Sequence, residues 1–319
     1  MRRGLSERAF IACGFLAAGI PVLAAPLNRA DVAAEPAWVL HVDCDGLRPT
    51  AVGKYLLAEM DKPDAQPRFA AFQTWFSFDP RKQLHGLTLY NTGNAPDDWV
   101  TLIYADFQPG RLVTLAKSAK ESQTTNYGPH TVFSWIDERK SAGSGVKIRI
   151  YASIEGQRVV LAQRPARISA ALDVLDRNKP SLSASKAFPE LGIPGDASFI
   201  EAAARKLDLP DSMPTAALFR LSKAMRLQVH ETNEQVIATL NLEANSEALA
   251  QQTVLAVRGL AALARLQKEK PETARFADGL ALKQEGSGVI ATLTMPAVDV
   301  IEMLKATTDK EGSKKTEKD

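Results

Sequence analysis

The stretch HVDCD, residues 41 to 45, holds the densest set of potential ligands in the chain. On a strand, side chains alternate between faces, so His41, Asp43 and Asp45 would point to one side and Cys44 to the other. An imidazole and two carboxylates on one side suit a divalent metal, and with it a metal-dependent hydrolase. Spacing weighs against a full site, because residues two apart on a strand stand about 6.5–7 Å apart, which suits two ligands better than three. A further ligand would have to come from a distant element, and His85, His130 and His230 are the remaining imidazoles. The plainer account is a polar strand end, where Asp45-Gly46 turns the chain toward the helix that contains Tyr55.

Other motifs carry less. SASK, Ser183 to Lys186, has the S-x-x-K spacing by which a lysine activates a serine one helical turn away, but the companion S-D-N and K-T-G motifs are missing. Arg226, Gln228 and His230 form a polar row on one side of an expected strand, a solvated face that could touch an acidic ligand. The GSG segments at 143–145 and 286–288 suit turns; neither has the lysine of a P-loop or a complete dinucleotide fingerprint. No G-x-S-x-G, H-E-x-x-H or paired C-x-x-C occurs. No catalytic residue and no cofactor is therefore assigned.

The elements that must position these residues are read from a repeat. VIATL occurs at Val236–Leu240 and again at Val289–Leu293, fifty-three residues on. Ungapped alignment sets MRLQVHETNEQVIATLNLEA over DGLALKQEGSGVIATLTMPA, a strand, a polar turn and a strand in each copy. Val236, Ala238, Leu240 and Leu242 match Val289, Ala291, Leu293 and Met295 on one side, the pattern of a sheet with one buried face. A helix follows each hairpin: Ser246 offers a cap before Leu249, Val257 and Leu260, and Val298, Ile301 and Leu304 fall at helical spacing. The first half repeats the cadence in HGLTLYN, WVTLIYADF and RLVTLAKSA, then in VKIRIYASI, RVVLAQ and ARISAALDVL, after a strand at AWVLHVD and a helix at TAVGKYLLAEM.

These patterns predict an α+β fold: two-layer sandwiches of largely antiparallel sheet with helices on one face, as ferredoxin-like tandem modules. The expected boundaries are a signal peptide at 1–24, an extension at 25–36, a first α+β domain at 37–180, a linker at 181–196, a second domain at 197–308 and a disordered tail at 309–319. Trp38, Trp75, Trp99 and Trp135, with Phe69, Phe72, Phe76 and Phe78, concentrate large aromatics in the first half. Most are expected in the core, and an opening among them would suit an apolar ligand such as a lipid chain.

Composition sets the class. Apolar residues make up 45% and charged residues 24% of the 319, as in a globular protein. Arg2, Arg3 and Arg8 precede the uncharged run AFIACGFLAAGIPVLAA, the layout of a secretory signal, with cleavage fitting best after Ala24. Losing residues 1–24 would leave 36 basic and 36 acidic residues from the original 39 and 37. That near neutrality, without a basic cluster, argues against a nucleic-acid partner. Cys44 would be the only thiol left, so stability must come from packing.

VDCDGLRPTAVGKYLLAEM, FSFDPRKQLHGLTLY and VVLAQRPARISAALDVLDRNKPSL together resemble uncharacterised secreted bacterial proteins of a domain-of-unknown-function type, built of α+β modules in tandem. The resemblance runs to about residue 183 and rests on pattern. It implies an exported α+β protein and brings no catalytic residues. The expected function is that of a periplasmic or secreted binding or envelope-associated protein, its partner an unknown envelope or extracellular ligand, with no transmembrane segment after signal cleavage. The alternatives are a hydrolase at His41, Asp43 and Asp45, or a lipid carrier.

Overall fold

The computed structural model describes residues 26–63, 65–76, 78–93, 95, 97–138, 141, 145–193, 197–205, 222–267 and 271–316, without the side chains of 68, 71, 72, 75, 76, 271 and 307–316. The expected signal at 1–24 lies outside them.

The strands are β1 (Trp38–Asp43), β2 (Leu84–Asn91), β3 (Trp99–Ala105), β4 (Gln123–Tyr127), β5 (His130–Ile136), β6 (Arg149–Glu155), β7 (Arg158–Ala162), β8 (Ile200–Ala204), β9 (Ser222–Thr232), β10 (Gln235–Ala244), β11 (Leu280–Glu285) and β12 (Gly288–Pro296). The helices are α1 (Cys44–Leu47), α2 (Ala51–Met60), α3 (Gln66–Phe76), α4 (Pro80–Gln83), α5 (Pro109–Ser118), α6 (Pro165–Leu175), α7 (Glu247–Arg265), α8 (Pro271–Gly279) and α9 (Ala297–Thr316). The class is α+β. The strands form one sheet in the order β11-β12-β10-β9-β8-β1-β2-β3-β7-β6-β5-β4, and every ladder in it is antiparallel.

The two halves expected as tandem modules are continuous with one another. β8 pairs with β1 on one side and β9 on the other, so the halves share one sheet. The segment expected as a linker carries one short 3-10 helix, Leu182–Ala184, and its Leu182, Ala187, Phe188 and Leu191 are buried in the first core. In the second half β12 is inserted between β10 and β11, and β9 flanks β10. In the first half β1 and β2 are direct neighbours. The tail expected to be disordered continues α9 as far as Thr316, its Lys and Glu being good helix formers.

The repeat builds the same shape twice. In the β10–β12 ladder Thr239 faces Thr292, its own counterpart fifty-three residues on, so the hairpins β9–β10 and β11–β12 are related by a local two-fold axis through that pair. Both hairpins close with two-residue turns that need positive φ, supplied by Asn233 (49°) and Glu234 (60°) in one and by Gly286 (56°) in the other. Leu242, Val289 and Met295 are buried, and Leu240 and Leu293 are half-buried on the same face.

The two faces exchange roles along the sheet. One face runs through Val39, Ala203, Arg226, Asn241 and Ile290. In the first half it is core, with Val39, Tyr90, Leu102 and Val160 packed with Ile168 and Leu172 of α6. In the second half the opposite face is core, where Leu242 and Val289 meet Ala250 and Val254 of α7. Helices on one face thus hold for the second half only. In the first, Phe133, Ile150 and Ala152 are buried on the far side from α6, where α5 packs against β5 and β6. Fully burying each of Leu172, Leu182 and Leu191, all 0% exposed, contributes about 1.5–3 kcal/mol.

Candidate functional site

β1 ends at Asp43 because the Asp43 side chain accepts a hydrogen bond from Gly46 N (2.9 Å) and caps α1. That cap removes Asp45 from the alternation on which the metal reading depended. His41 and Asp43 share a face and are buried, and His41 Nδ1 lies 2.9 Å from Thr88 Oγ1. Asp45 instead meets Arg48 (2.6 Å) and His85 Nδ1 (2.9 Å). His41, Asp43 and Asp45 are therefore not one ligand set, and among the described residues no three or more His, Cys, Asp or Glu gather to hold a metal. Cys44 is pushed up to about 11, mainly by burial, with Arg48 acting against it.

The other expected pieces are dispersed. Ser183 lies in a 3-10 turn, Leu182–Ala184, and the chain is extended at Ser185, so Lys186 is not one helical turn from the serine. Trp38, Trp99, Trp135 and Phe69 are half-buried and Phe78 is buried. The cavity described below is not lined by them, and the side chains of Trp75, Phe72 and Phe76 lie outside the described residues.

Two histidine clusters were not legible from spacing. His85 bridges Asp45 and Asp106 (Nε2 to Oδ1, 3.2 Å). His130, on β5, bridges Glu155 of β6 (2.9 Å) and Asp176 at the end of α6 (2.8 Å). Burial disfavours both imidazolium ions, but the carboxylates' hydrogen bonds and charge outweigh it and raise both histidines above their ordinary value. Both ring nitrogens of His130 face carboxylates, an arrangement that favours the doubly protonated ring, which donates from both. Ser153 Oγ donates to Glu155 (2.5 Å) and is 0% exposed, so it is not a nucleophile facing the histidine.

A groove of about 560 Å³ lies open on the face that changes role. Where the first core ends, the segment 186–190 forms a wall beside a floor that includes Ala203, Asn241 and Ile290. Arg29 fixes the wall, its guanidinium donating to the carbonyls of Leu182 (2.9 Å), Ala187 (3.1 Å), Leu191 (3.0 Å) and Phe188. Arg226 Nη2 donates to Glu190 O (2.7 Å), and Arg205 lies over the Phe188 ring (5.4 Å to the centroid) while pairing with Glu35 (2.6 Å). Lys186, Arg205 and Arg226 lie toward β8 and β9, with Glu190 among them. Glu243 and Glu285 lie toward β10 and β11, near Lys223 (3.7 Å) and Lys283 (2.5 Å). Of the polar row expected on β9, Arg226 lines this groove.

No family model matches the chain, and no curated protein sequence does. Among solved structures it is similar to TP0453 in crystal form III (TM-score 0.48, 10% identity, covering 88% of this chain and 98% of that one). It is also similar to crystal form I of the same protein (TM-score 0.46, 11% identity, 89% and 98%).

Proposed function

We propose that the chain is an exported, non-enzymatic binding protein of the cell envelope whose ligand site is the groove beside residues 186–190. The observation that carries the reading is a contrast. The groove is open, and its Glu243 and Glu285 are 55% exposed even where they pair with Lys223 and Lys283, while His85, His130, Asp45 and Glu155 bridge elements of the fold. A general acid or base has to reach the proton that it transfers, and these groups are spent on holding elements together. Export is supported by the basic and then apolar layout of residues 1–24.

The charges favour a short zwitterion. Strands stand about 4.8 Å apart, and Glu285 on β11 lies three spacings across and two residues along from Arg226 on β9, so the two are separated by about 16 Å, the span of about four to five extended residues. A peptide of that length would set its carboxylate toward Arg226 and Lys186 and its amine toward Glu243 and Glu285. Titration calorimetry with free-ended tetra-alanine and its end-blocked form tests this, in the parent and in Ile290→Trp, which fills the floor. The free-ended peptide binds the parent, the blocked form binds more weakly, and Ile290→Trp abolishes both. Heat that survives Ile290→Trp, or no heat from the parent, refutes the groove as this site.

A further inference from the structure

Helix α7 is apolar on two sides. Its inward side, Ala250, Thr253 and Val254, is buried on the sheet. Its outward side carries Leu255 (59% exposed), Leu260 (60%), Leu263 (61%) and Leu266 (75%) at its C-terminal end. At 3.6 residues per turn these leucines span an arc of about 140° and a length of about 16 Å, with the exposed Ala256, Gly259 and Ala262 between them. Phe276 of the adjoining α8 is also exposed (42%), and α8 is held to α7 by Arg265 pairing with Asp278 (2.8 Å). Scattered exposed leucines are ordinary; several on one face of one helix mark an interaction surface.

The local two-fold axis sharpens the anomaly. α9 follows the second hairpin as α7 follows the first, and α9 is covered by α2, with Lys305 over the Tyr55 ring (5.5 Å to the centroid). Among the described residues, nothing from the first half covers α7 in the way that α2 covers α9.

We infer that the outward face of α7, with Phe276, docks on an anionic lipid surface. The charge balance chooses this occupant over a second copy of the chain. Glu247 in the first turn is the only acid on α7, whereas Arg258 is exposed beside the leucines, the charge balance of an interfacial helix. A second copy would bring the same acid-poor face and offer Arg258 no counter-charge. No described helix is long and apolar enough to cross a membrane, so α7 would lie in the interface plane.

The test is co-sedimentation of the full chain with vesicles of phosphatidylcholine alone or mixed with phosphatidylglycerol, beside Leu260→Glu/Leu263→Glu and Arg258→Gln. Because the variants differ only on α7, the apolar run near the N-terminus contributes equally to all. The parent partitions onto the mixed vesicles, the leucine pair loses about tenfold or more, and Arg258→Gln weakens binding to mixed vesicles while leaving the phosphatidylcholine background alone. The exposed sites leave the melting temperature unchanged; should it move, Leu255→Glu replaces the pair. Equal partitioning of parent and variants overturns the proposal. So does a parent dimer in sedimentation equilibrium that the leucine pair dissociates without any vesicle binding. Neither result bears on the groove, which is read by calorimetry.

Discussion

Replacing His130 with Gln should destabilise the protein in acid and have little effect in base. The imidazolium clamps β5 to β6 through Glu155 and to the end of α6 through Asp176. A hydrogen bond to a charged group contributes about 1.5–3 kcal/mol net, and the carboxylates, 23% and 31% exposed, are partly screened. The clamp is therefore set at about 1–2 kcal/mol, or about 2–8 °C in Tm at about 2–4 °C per kcal/mol. Folding raises the His130 pKa, so this stability is complete below the unfolded value of about 6.5 and is lost as pH rises through the folded value. Urea unfolding of parent and His130→Gln at about pH 6 and about pH 9 should show the gap at the lower pH and its closure at the higher. His85 is raised in the same sense, so the measurement is repeated in a His85→Gln background to keep its contribution constant. Equal stability at the lower pH, or a gap that ignores pH, would refute the reasoning.

Glu231 on β9 accepts from Ala51 N (2.7 Å) and Val52 N (3.2 Å), capping α2 from the other half of the chain beside its local cap Thr50. Glu231→Gln should cost about 1 kcal/mol in urea unfolding and speed amide exchange at Ala51 and Val52; unchanged exchange there would show that the contact adds nothing. Cys44, its thiol pushed up to about 11 by burial, should be alkylated at about pH 8 at least about tenfold more slowly in the native chain than in urea. Equal rates would show an accessible thiolate.

Hairpins were legible wherever alternation was strong. The β9–β10 and β11–β12 pairs, their shared buried face and the helices after them follow from period-two and period-3.6 patterns, since each segment must bury one side. The sheet's continuity was not legible, because β8 is the alanine-rich IEAAA, with little apolar bulk to alternate, and its partners lie far off in sequence. β4, QTTNY, is a wholly exposed polar edge that shows no buried face at all. The metal reading failed on one local fact, the Asp43 cap, which ends the strand two residues before Asp45. The groove depends on Arg29 reaching carbonyls more than 150 residues away, a contact that no local pattern encodes.

The claim on which the rest depends is that the two copies of the repeat lie side by side, antiparallel, with Thr239 against Thr292. With Cys13 and Cys44 replaced by Ser, Thr239→Cys/Thr292→Cys should oxidise readily to an internal disulfide, because facing residues on paired strands meet the required separation. Thr239→Cys/Thr294→Cys, out of register on the same face, should not. Cross-linking of the second pair in preference to the first would contradict the register, the two-fold relation of the hairpins, and the groove and helix faces derived from them.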